Sequence, residues 1–265
     1  MGVNPEKVCL FIPPELKKFK LDLFERIGRK IGRVVRHDHE KLLNLPDDVI
    51  PIVGCTPALR PLIKKWQETG RTWCYWDRGY MRRVFATDLP VGSEGGYYRW
   101  HLNAFQLREV FEAKEDRWLA AKTPLWDWQK NGRHIVVAEP SPTYEKFHGI
   151  EGWTRRTVEL LRCYTDRPLV IRDKEMQRFS RKLHEDLRGA HALVTHGSNA
   201  AVEAVVMGCP VFVDPCSAAV LVGKTDLGEI EEPAFPDRLN WVKALCYSQF
   251  NERELVDGTL WRLLR

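Results

Sequence analysis

The chain has 265 residues, of which 44% are hydrophobic and 29% are charged, and its formal net charge is +5. These values exclude a disordered or a fibrous protein, and no apolar run reaches the about 20 residues that cross a bilayer. The first residues lead into a strand-like segment without the pattern of a signal peptide. We therefore expect a globular cytoplasmic protein without a membrane partner.

The front half of the sequence alternates between strand-like and helix-like segments. In chain order these are a strand at 8–12, a helix at 15–29, a strand at 49–54, a helix at 57–69 and a strand at 72–76. Thr56 and Pro57 favour the start of the second helix, because a capping hydroxyl precedes a proline at the first helical position. Residues 119–132, which contain Pro124 and lie near three tryptophans, are interpreted as the link to the back half.

The back half alternates more regularly. Its predicted elements are a strand at 134–138, a helix at 154–164, a strand at 168–172, a helix at 180–189, a strand at 192–195, a helix at 199–207, a strand at 210–214 and helices at 236–250 and 252–264. Asp237 is placed to cap the first of the two last helices. Because short apolar strands that alternate with helices specify a parallel sheet covered on both faces, the back half is predicted to be Rossmann-like.

The two halves together predict an α/β protein with two Rossmann-like domains that face a central cleft, the arrangement known as GT-B. We assign residues 1–125 to an acceptor-binding domain and residues 126–265 to a domain that binds a nucleotide sugar. The C-terminal helices belong to the second domain in this interpretation, with the option that they cross back to the first.

A turn between a strand and a helix, within residues 194–204, carries the chemical signal. Gly197 lets a phosphate approach the backbone, and Ser198 is suited to cap the helix and to donate its hydroxyl. The start of a helix offers unpaired N–H groups to a diphosphate. Glu203, one helical turn after Asn199, carries a carboxylate that suits ribose hydroxyls. An ordinary turn without a ligand remains the alternative.

Two cations, Arg172 and Lys174, lie at the carboxyl end of the strand at 168–172. Ligands of open α/β sheets bind outside the carboxyl ends of the strands. We therefore expect both side chains to converge on the phosphate position.

Several segments of the back half share the pattern of one enzyme group. They are Ile171-Arg172-x-Lys174, Asp186-Leu187-x-x-Ala190, residues 194–204, Gly208-x-Pro210-Val211 and the tail from Pro236 to Trp261. On these residues the chain resembles GT-B nucleotide-sugar glycosyltransferases, in particular those of capsule synthesis and of bacteriophages. The resemblance implies a metal-independent transferase with its donor, such as a UDP-sugar, in the back domain. It also implies that Ser198, Asn199 and Glu203 contact the donor, and we place His196 beside them.

The front half offers two candidates for a general base that removes a proton from the acceptor hydroxyl. Asp77 ends a predicted strand and precedes Arg78-Gly79, so a turn or capping role is the equal alternative. His101 follows an aromatic segment, and a structural role is the alternative for a lone histidine. Three tryptophans in this half are either core residues or stacking surfaces for sugars or bases: Trp73, Trp76 and Trp100.

The positive charge is concentrated in the front half. Residues 1–125 contain 22 basic and 16 acidic side chains, whereas residues 126–265 contain 19 and 20. A solvated helix face is one interpretation, and a surface for a polyanion is the other. In the second interpretation Arg29, Arg33 and Arg82 hold the phosphate backbone of DNA.

The seven cysteines are scattered singly, without a Cys-x-x-Cys pair. In a cytoplasmic chain this pattern is typical of small buried residues and not of a disulfide framework or a zinc site. We therefore expect no metal and no cofactor other than the donor.

The sequence as a whole predicts transfer of a hexose or pentose to a hydroxymethylated pyrimidine of phage DNA, in the host cytoplasm. The main alternative is transfer to a capsule or surface glycan. Two further functions stay open: a nucleotide-sugar epimerase, which needs no acceptor, and a nucleic-acid-binding module without donor binding. The oligomeric state is open as well.

Overall fold

The computed structural model describes residues 2–13, 18–31, 33–36, 38–81, 96–173 and 182–265. Its strands, in chain order, are β1 Val8–Ile12, β2 Val34–Arg36, β3 Ile50–Val53, β4 Cys74–Arg78, β5 Tyr97–Leu102, β6 His134–Ala138, β7 Leu169–Arg172, β8 Ala190–Thr195, β9 Val211–Val213 and β10 Gln249–Asn251. Its α-helices are α1 Lys18–Ile31, α2 His39–Leu43, α3 Arg60–Thr69, α4 Asp116–Ala121, α5 Pro142–His148, α6 Trp153–Leu161, α7 Leu183–Leu187, α8 Ala200–Val206, α9 Leu239–Tyr247, α10 Glu252–Val256 and α11 Thr259–Leu263. Among these residues, no helix is long and apolar enough to cross a membrane.

The chain forms two compact units that differ from the predicted domains. The first unit combines Met1–Gln106 with Leu245–Arg265, and the second is Leu107–Ala244. The boundary thus lies before the expected position at 125/126. The last residues join the first unit, in line with the option that the C-terminal helices cross back.

The first unit is built on a mixed sheet with the strand order β10-β5-β4-β3-β1-β2. Strands β2, β1, β3 and β4 run parallel to one another, β5 is antiparallel to β4, and β10 pairs antiparallel with β5 and so runs in the same direction as the first four. Trp73, Trp76 and Trp100 are between 1% and 4% exposed, so these three tryptophans are core residues and not an open stacking surface. The core surrounds the apolar strand β1, whose five residues are all buried.

The tail of the chain departs from the predicted helix at 236–250. Helix α9 ends at Tyr247, and β10 then pairs antiparallel with β5, with Phe250 opposite Tyr98. Asp237 does act near the start of α9, where its carboxylate accepts a hydrogen bond from the N–H of Leu239 at 3.0 Å. Residues 249–251 are extended because their backbone pairs with that of β5.

The second unit is built on a parallel sheet with the order β7-β6-β8-β9. The buried residues of β6 and β8 form its centre, as their continuous apolar sequences predict. Helix α5 was not expected from the sequence. Its N-cap is Ser141, whose hydroxyl accepts a hydrogen bond from the N–H of Tyr144, and Pro142 occupies its first turn.

The segment interpreted as a link, residues 119–132, is instead part of the second unit. The N–H of Trp126 donates to the carbonyl of Val206, and that of Gln129 donates to the carbonyl of Gly208. Gly208 has a φ of +78°, and a Cβ there would lie 1.9 Å from the carbonyl oxygen of Asp127. The segment therefore packs directly on the turn that follows α8.

Candidate functional site

The carboxyl edge of the second sheet gathers polar side chains from three loops. The strand β6 leads to α5, β8 leads to the turn at 196–199, and β9 leads to the loop at 214–217. In parallel sheets this edge is where ligands bind, because neighbouring strands end there together. The sequence predicts the donor site in this part of the second unit.

His196 is the centre of this cluster and is only 7% exposed. Its Nδ1 lies 3.2 Å from the Tyr144 hydroxyl and 3.6 Å from the Cys216 Sγ, and the hydroxyl is 3.7 Å from the same sulfur. On the other side of the ring, Nε2 lies 3.5 Å from a carboxylate oxygen of Asp214. The ring of His148 stands 5.5 Å from that of His196, between centroids.

The loop after β9 is fixed against the turn after β8. The N–H of Asp214 donates to the carbonyl of His196 at 3.0 Å, and the N–H of Cys216 donates to the Asp214 carboxylate at 2.9 Å. The guanidinium of Arg108 donates to the carbonyl of Pro215. These bonds hold the thiol, the imidazole and the carboxylate together in the folded chain.

Burial controls the protonation of this cluster. Burial lowers the pKa of His196, and the charge of Asp214 opposes that effect only in part, so the imidazole favours its neutral form. Burial, together with the charge and a hydrogen bond of Asp214, raises the pKa of Cys216 to about 12. Without a further partner the thiol is therefore protonated at neutral pH.

The predicted donor-binding turn lies beside this cluster. Gly197 is buried, whereas Ser198 and Asn199 are partly exposed. The Ser198 hydroxyl accepts a hydrogen bond from the N–H of Ala200 at 3.2 Å, so its own hydrogen is directed elsewhere. The N–H of Glu203 donates to the carbonyl of Asn199, which confirms that the two residues are one helical turn apart, and Glu203 is also partly exposed.

Arg172 lies at the carboxyl end of β7, but its guanidinium is engaged by a carboxylate of the same unit. It forms an ion pair with Asp186 of α7, whose side chain is fully buried, and the Arg172 side chain is 14% exposed. The Asp186 backbone carbonyl in turn contacts Nε2 of His134 at 2.8 Å. This cation therefore joins α7 to the sheet, and Lys174, its predicted partner at the phosphate, lies outside the described residues.

In the first unit, Asp77 lies near the carboxyl end of β4. One carboxylate oxygen accepts the N–H of Arg78 at 2.7 Å, and the other lies 3.0 Å from the guanidinium of Arg99. Its side chain is 32% exposed, whereas that of Arg99 is 5% exposed. Asp77 thus has the contacts of a turn residue, and its carboxylate still reaches solvent.

His101, the second candidate base, is an interior residue of β5 with 5% exposure. Its Nε2 lies 2.8 Å from the hydroxyl of Tyr80. Burial, with a smaller effect from the charge of Arg99, lowers the pKa of His101 to about 3. An interior imidazole with this environment fits a structural role.

Of the three cations expected to hold DNA, two belong to the described residues. Arg29 on α1 and Arg33 before β2 are both exposed. Their neighbours on the same surface are partly neutralised, since Arg26 pairs with Glu252 and Arg36 pairs with Glu25. Arg82 lies outside the described residues.

The fold is similar to that of a solved transferase from Thermosulfurimonas dismutans, "KpsC, beta Kdo 2,7 transferase". The TM-score is 0.50 at 10% sequence identity, over 96% of this chain and 98% of that one. A second structure from the same organism, "KpsC, beta Kdo 2,4 transferase", matches with a TM-score of 0.46 at 10% identity, over 95% of this chain and 98% of the other. No protein-family model and no curated protein matches the chain.

Three residues of the edge cluster were not found from the sequence: Tyr144, Asp214 and Cys216. Each follows a strand of the parallel sheet, and that position was the available signal, because adjacent strands end at the same edge. The cysteine spacing gave no hint, since Cys216 meets a histidine and an aspartate instead of a second cysteine.

Proposed function

We propose that the chain is a glycosyltransferase of the GT-B type that moves a sugar from a nucleotide-activated donor to a saccharide acceptor. The observation that carries this proposal is the carboxyl edge of the second sheet. There Ser198 and Asn199 follow the strand β8, Glu203 lies one turn further on in α8, and all three residues are partly exposed. This is the position at which open α/β sheets bind nucleotides.

The reaction class draws its support from the fold. A chain of nearly the same length, described as a beta Kdo 2,7 transferase, has a similar fold over 96% of this chain. We therefore favour a saccharide as the acceptor and include an activated Kdo beside UDP-sugars among the donors to test. At 10% identity the likeness concerns the fold alone, so the donor and the acceptor stand as proposals.

The donor-binding residues act through hydrogen bonds in this proposal. The oxygen of Ser198 accepts a hydrogen bond from the N–H of Ala200, and its hydroxyl donates to a phosphate oxygen of the donor. The carboxylate of Glu203 accepts hydrogen bonds from the hydroxyls of the nucleoside ribose, and Asn199 lies one turn before it. Hydrogen bonds that involve an ionised group contribute about 1.5–3 kcal/mol each.

Asp77 is the better candidate for the acceptor base. Its carboxylate is 32% exposed and is oriented by Arg99, whereas His101 is 5% exposed and already contacts Tyr80. A general base has to reach the acceptor hydroxyl, directly or through one water. We therefore assign the proton transfer to Asp77 and a structural role to His101.

DNA is the less favoured acceptor. Exposed Arg29 and Arg33 supply positive charge, but charge of this kind is common on solvated helix faces. The fold likeness is to a transferase described by a sugar and not by a nucleic acid. Hydroxymethylated DNA accordingly serves as the second acceptor class in the experiment that tests the function.

The experiment incubates the purified chain with a panel of nucleotide sugars, including an activated Kdo, and with three acceptor conditions. These are a mixture of capsule-type oligosaccharides, duplex DNA with hydroxymethylated pyrimidines, and no acceptor. Mass spectrometry then follows both the acceptor and the released nucleotide. We expect a sugar mass on the oligosaccharide, with release of nucleotide that depends on it.

Three results would contradict this proposal. A sugar mass found on DNA alone would show that the acceptor is DNA and not a saccharide. A change of the sugar without any acceptor would indicate an epimerase. Failure to bind every nucleotide sugar, measured by calorimetry with a folded protein, would remove the donor site and with it the transferase function.

A further inference from the structure

The edge cluster of the second unit brings three different metal-ligand types together. His196, Asp214 and Cys216 each offer one ligand atom, and these atoms all lie within 4.8 Å of one another. The histidine is buried, and the other two residues are partly exposed. The three come from two loops, which follow the adjacent strands β8 and β9.

The distance between the sulfur and the nitrogen ligand is close to that of a tetrahedral zinc site. Zinc bonds of about 2.3 Å to sulfur and about 2.0 Å to nitrogen place these two ligands ~3.5 Å apart in tetrahedral geometry. The Cys216 Sγ lies 3.6 Å from the His196 Nδ1. The Tyr144 hydroxyl is 3.2 Å from that nitrogen and 3.7 Å from the sulfur, so it lies next to both ligand atoms.

Asp214 completes the set. Its carboxylate lies 3.5 Å from Nε2, the imidazole nitrogen on the other side of the ring from Cys216, and accepts a hydrogen bond from the backbone N–H of Cys216. The three ligand atoms lie within 4.8 Å of one another, and the Asp214 side chain is 40% exposed, which leaves it room to approach the ~3.3–3.8 Å spacing of zinc ligands. The two loops are already joined by the bond from the N–H of Asp214 to the carbonyl of His196.

We propose that His196, Asp214 and Cys216 bind one zinc ion, with the fourth position facing the Tyr144 hydroxyl or a water molecule. A sulfur, a nitrogen and an oxygen ligand together select zinc over magnesium or calcium, which prefer oxygen alone. Cys216 binds as the thiolate and releases its proton to solvent. This site does not depend on the proposed transferase function, because it needs neither donor nor acceptor.

The test uses cobalt(II) as a spectroscopic probe of the full, untagged chain after treatment with a chelator. A thiolate ligand gives cobalt(II) a charge-transfer band in the near ultraviolet, and tetrahedral geometry gives intense visible bands. We expect both with one equivalent of cobalt and their loss when one equivalent of zinc is added. Cys216→Ser should remove the charge-transfer band, and Asp214→Asn should weaken zinc binding at least about 10-fold.

Cys163→Ser is the matched control, because Cys163 is an exposed thiol elsewhere in the second unit. This variant should keep the band. The proposal is overturned if the folded parent shows no charge-transfer band, or if the band survives in Cys216→Ser.

A second measurement avoids substitutions that could disturb folding. Alkylation of the parent chain by iodoacetamide, followed by peptide mass spectrometry, reports the reactivity of each thiol. Zinc should protect Cys216 and leave the labelling of Cys163 unchanged. Equal labelling of Cys216 with and without zinc would exclude the site, whatever the transferase assays show.

Discussion

The side-chain oxygen of Gln249 accepts a hydrogen bond from the backbone N–H of Tyr80 at 2.8 Å, although the two residues are 169 positions apart in the chain. The same oxygen accepts the N–H of Met81 at 2.9 Å. Both donors are buried and follow β4, the strand that carries Asp77. The tail of the protein thus fixes the turn beside the candidate acceptor base.

Replacing Gln249 by leucine should destabilise the first unit. The two buried N–H groups lose their acceptor, and each unsatisfied group costs about 1–3 kcal/mol. We expect the free energy of unfolding to fall by about 2–6 kcal/mol in urea denaturation. Gln67→Leu, at an exposed position of α3, is the control and should change it by no more than about 0.5 kcal/mol. Equal effects of the two substitutions would contradict the role of Gln249.

Glu203→Gln should weaken donor binding without unfolding the protein. The amide loses the charge that accepts the ribose hydroxyls, and the loss of such a bond corresponds to about 10- to 100-fold in affinity. Calorimetric titration with the preferred nucleotide sugar measures the change. Glu159→Gln, which affects only an exposed pair with Arg155, should keep the parent affinity. Full binding by Glu203→Gln would remove this residue from the donor site.

His101 should make the folded chain less stable in acid. Its pKa is lowered to about 3 from an ordinary value of 6.5, so the unfolded chain binds the additional proton between these two pH values. The stabilisation by the neutral imidazole is complete above about pH 6.5 and is lost, at up to about 1.4 kcal/mol per pH unit, as the pH falls towards 3.

Urea denaturation at pH 7, 6 and 5 tests this expectation. The parent chain should lose more stability over this range than His101→Gln, whose amide can still contact the Tyr80 hydroxyl but does not titrate. Parallel stability profiles for the two proteins would show that the pKa of His101 is the same in the folded and the unfolded chain.

The ion pair of Arg172 and Asp186 should behave as a buried pair. Asp186→Leu leaves the 14% exposed Arg172 side chain without its carboxylate and should cost about 3–5 kcal/mol. The double variant Arg172→Met with Asp186→Leu should recover most of that loss, since it removes both charges. A double variant as unstable as the single one would mean that the pair is not the source of the effect.

Gly208→Ala should destabilise the second unit more than Gly149→Ala. Both glycines have a positive φ, of +78° and +68°, and a left-handed conformation costs an alanine roughly 1–2 kcal/mol. Only at Gly208 would the added Cβ also meet backbone, 1.9 Å from the carbonyl oxygen of Asp127, whereas nothing lies within 4 Å at Gly149. Thermal denaturation compares the two, and similar losses would argue against close packing of residues 119–132 on this turn.

The fold could be predicted where local sequence decides it. The strand β6 has the predicted bounds, because its four successive apolar residues after His134 are all buried in a parallel sheet. The strand β10 could not be predicted, since residues 249–251 are extended only through pairing with β5, far away in the chain. Helix α5 was missed despite the Ser141-Pro142 start, which is a local signal.

The candidate site was predictable only in part. The turn from His196 to Asn199 could be located because a buried strand and a helix flank it. The loop of Asp214 and Cys216 could not be joined to it from the sequence, because the joining contacts depend on β8 and β9 lying side by side. The sequence also did not reveal that Asp186 engages Arg172, because that contact depends on where α7 packs on the sheet.

Because Leu245–Arg265 belong to the first unit, that unit can complete its fold only late during synthesis on the ribosome. Every residue of the second unit is made before β10, so the first unit, although it begins the chain, is the last to receive all its strands. During that interval β5 has an open edge, and open edges are the sites at which strands pair with other chains. A product truncated just before codon 245 would therefore carry all of the second unit beside an aggregation-prone first unit.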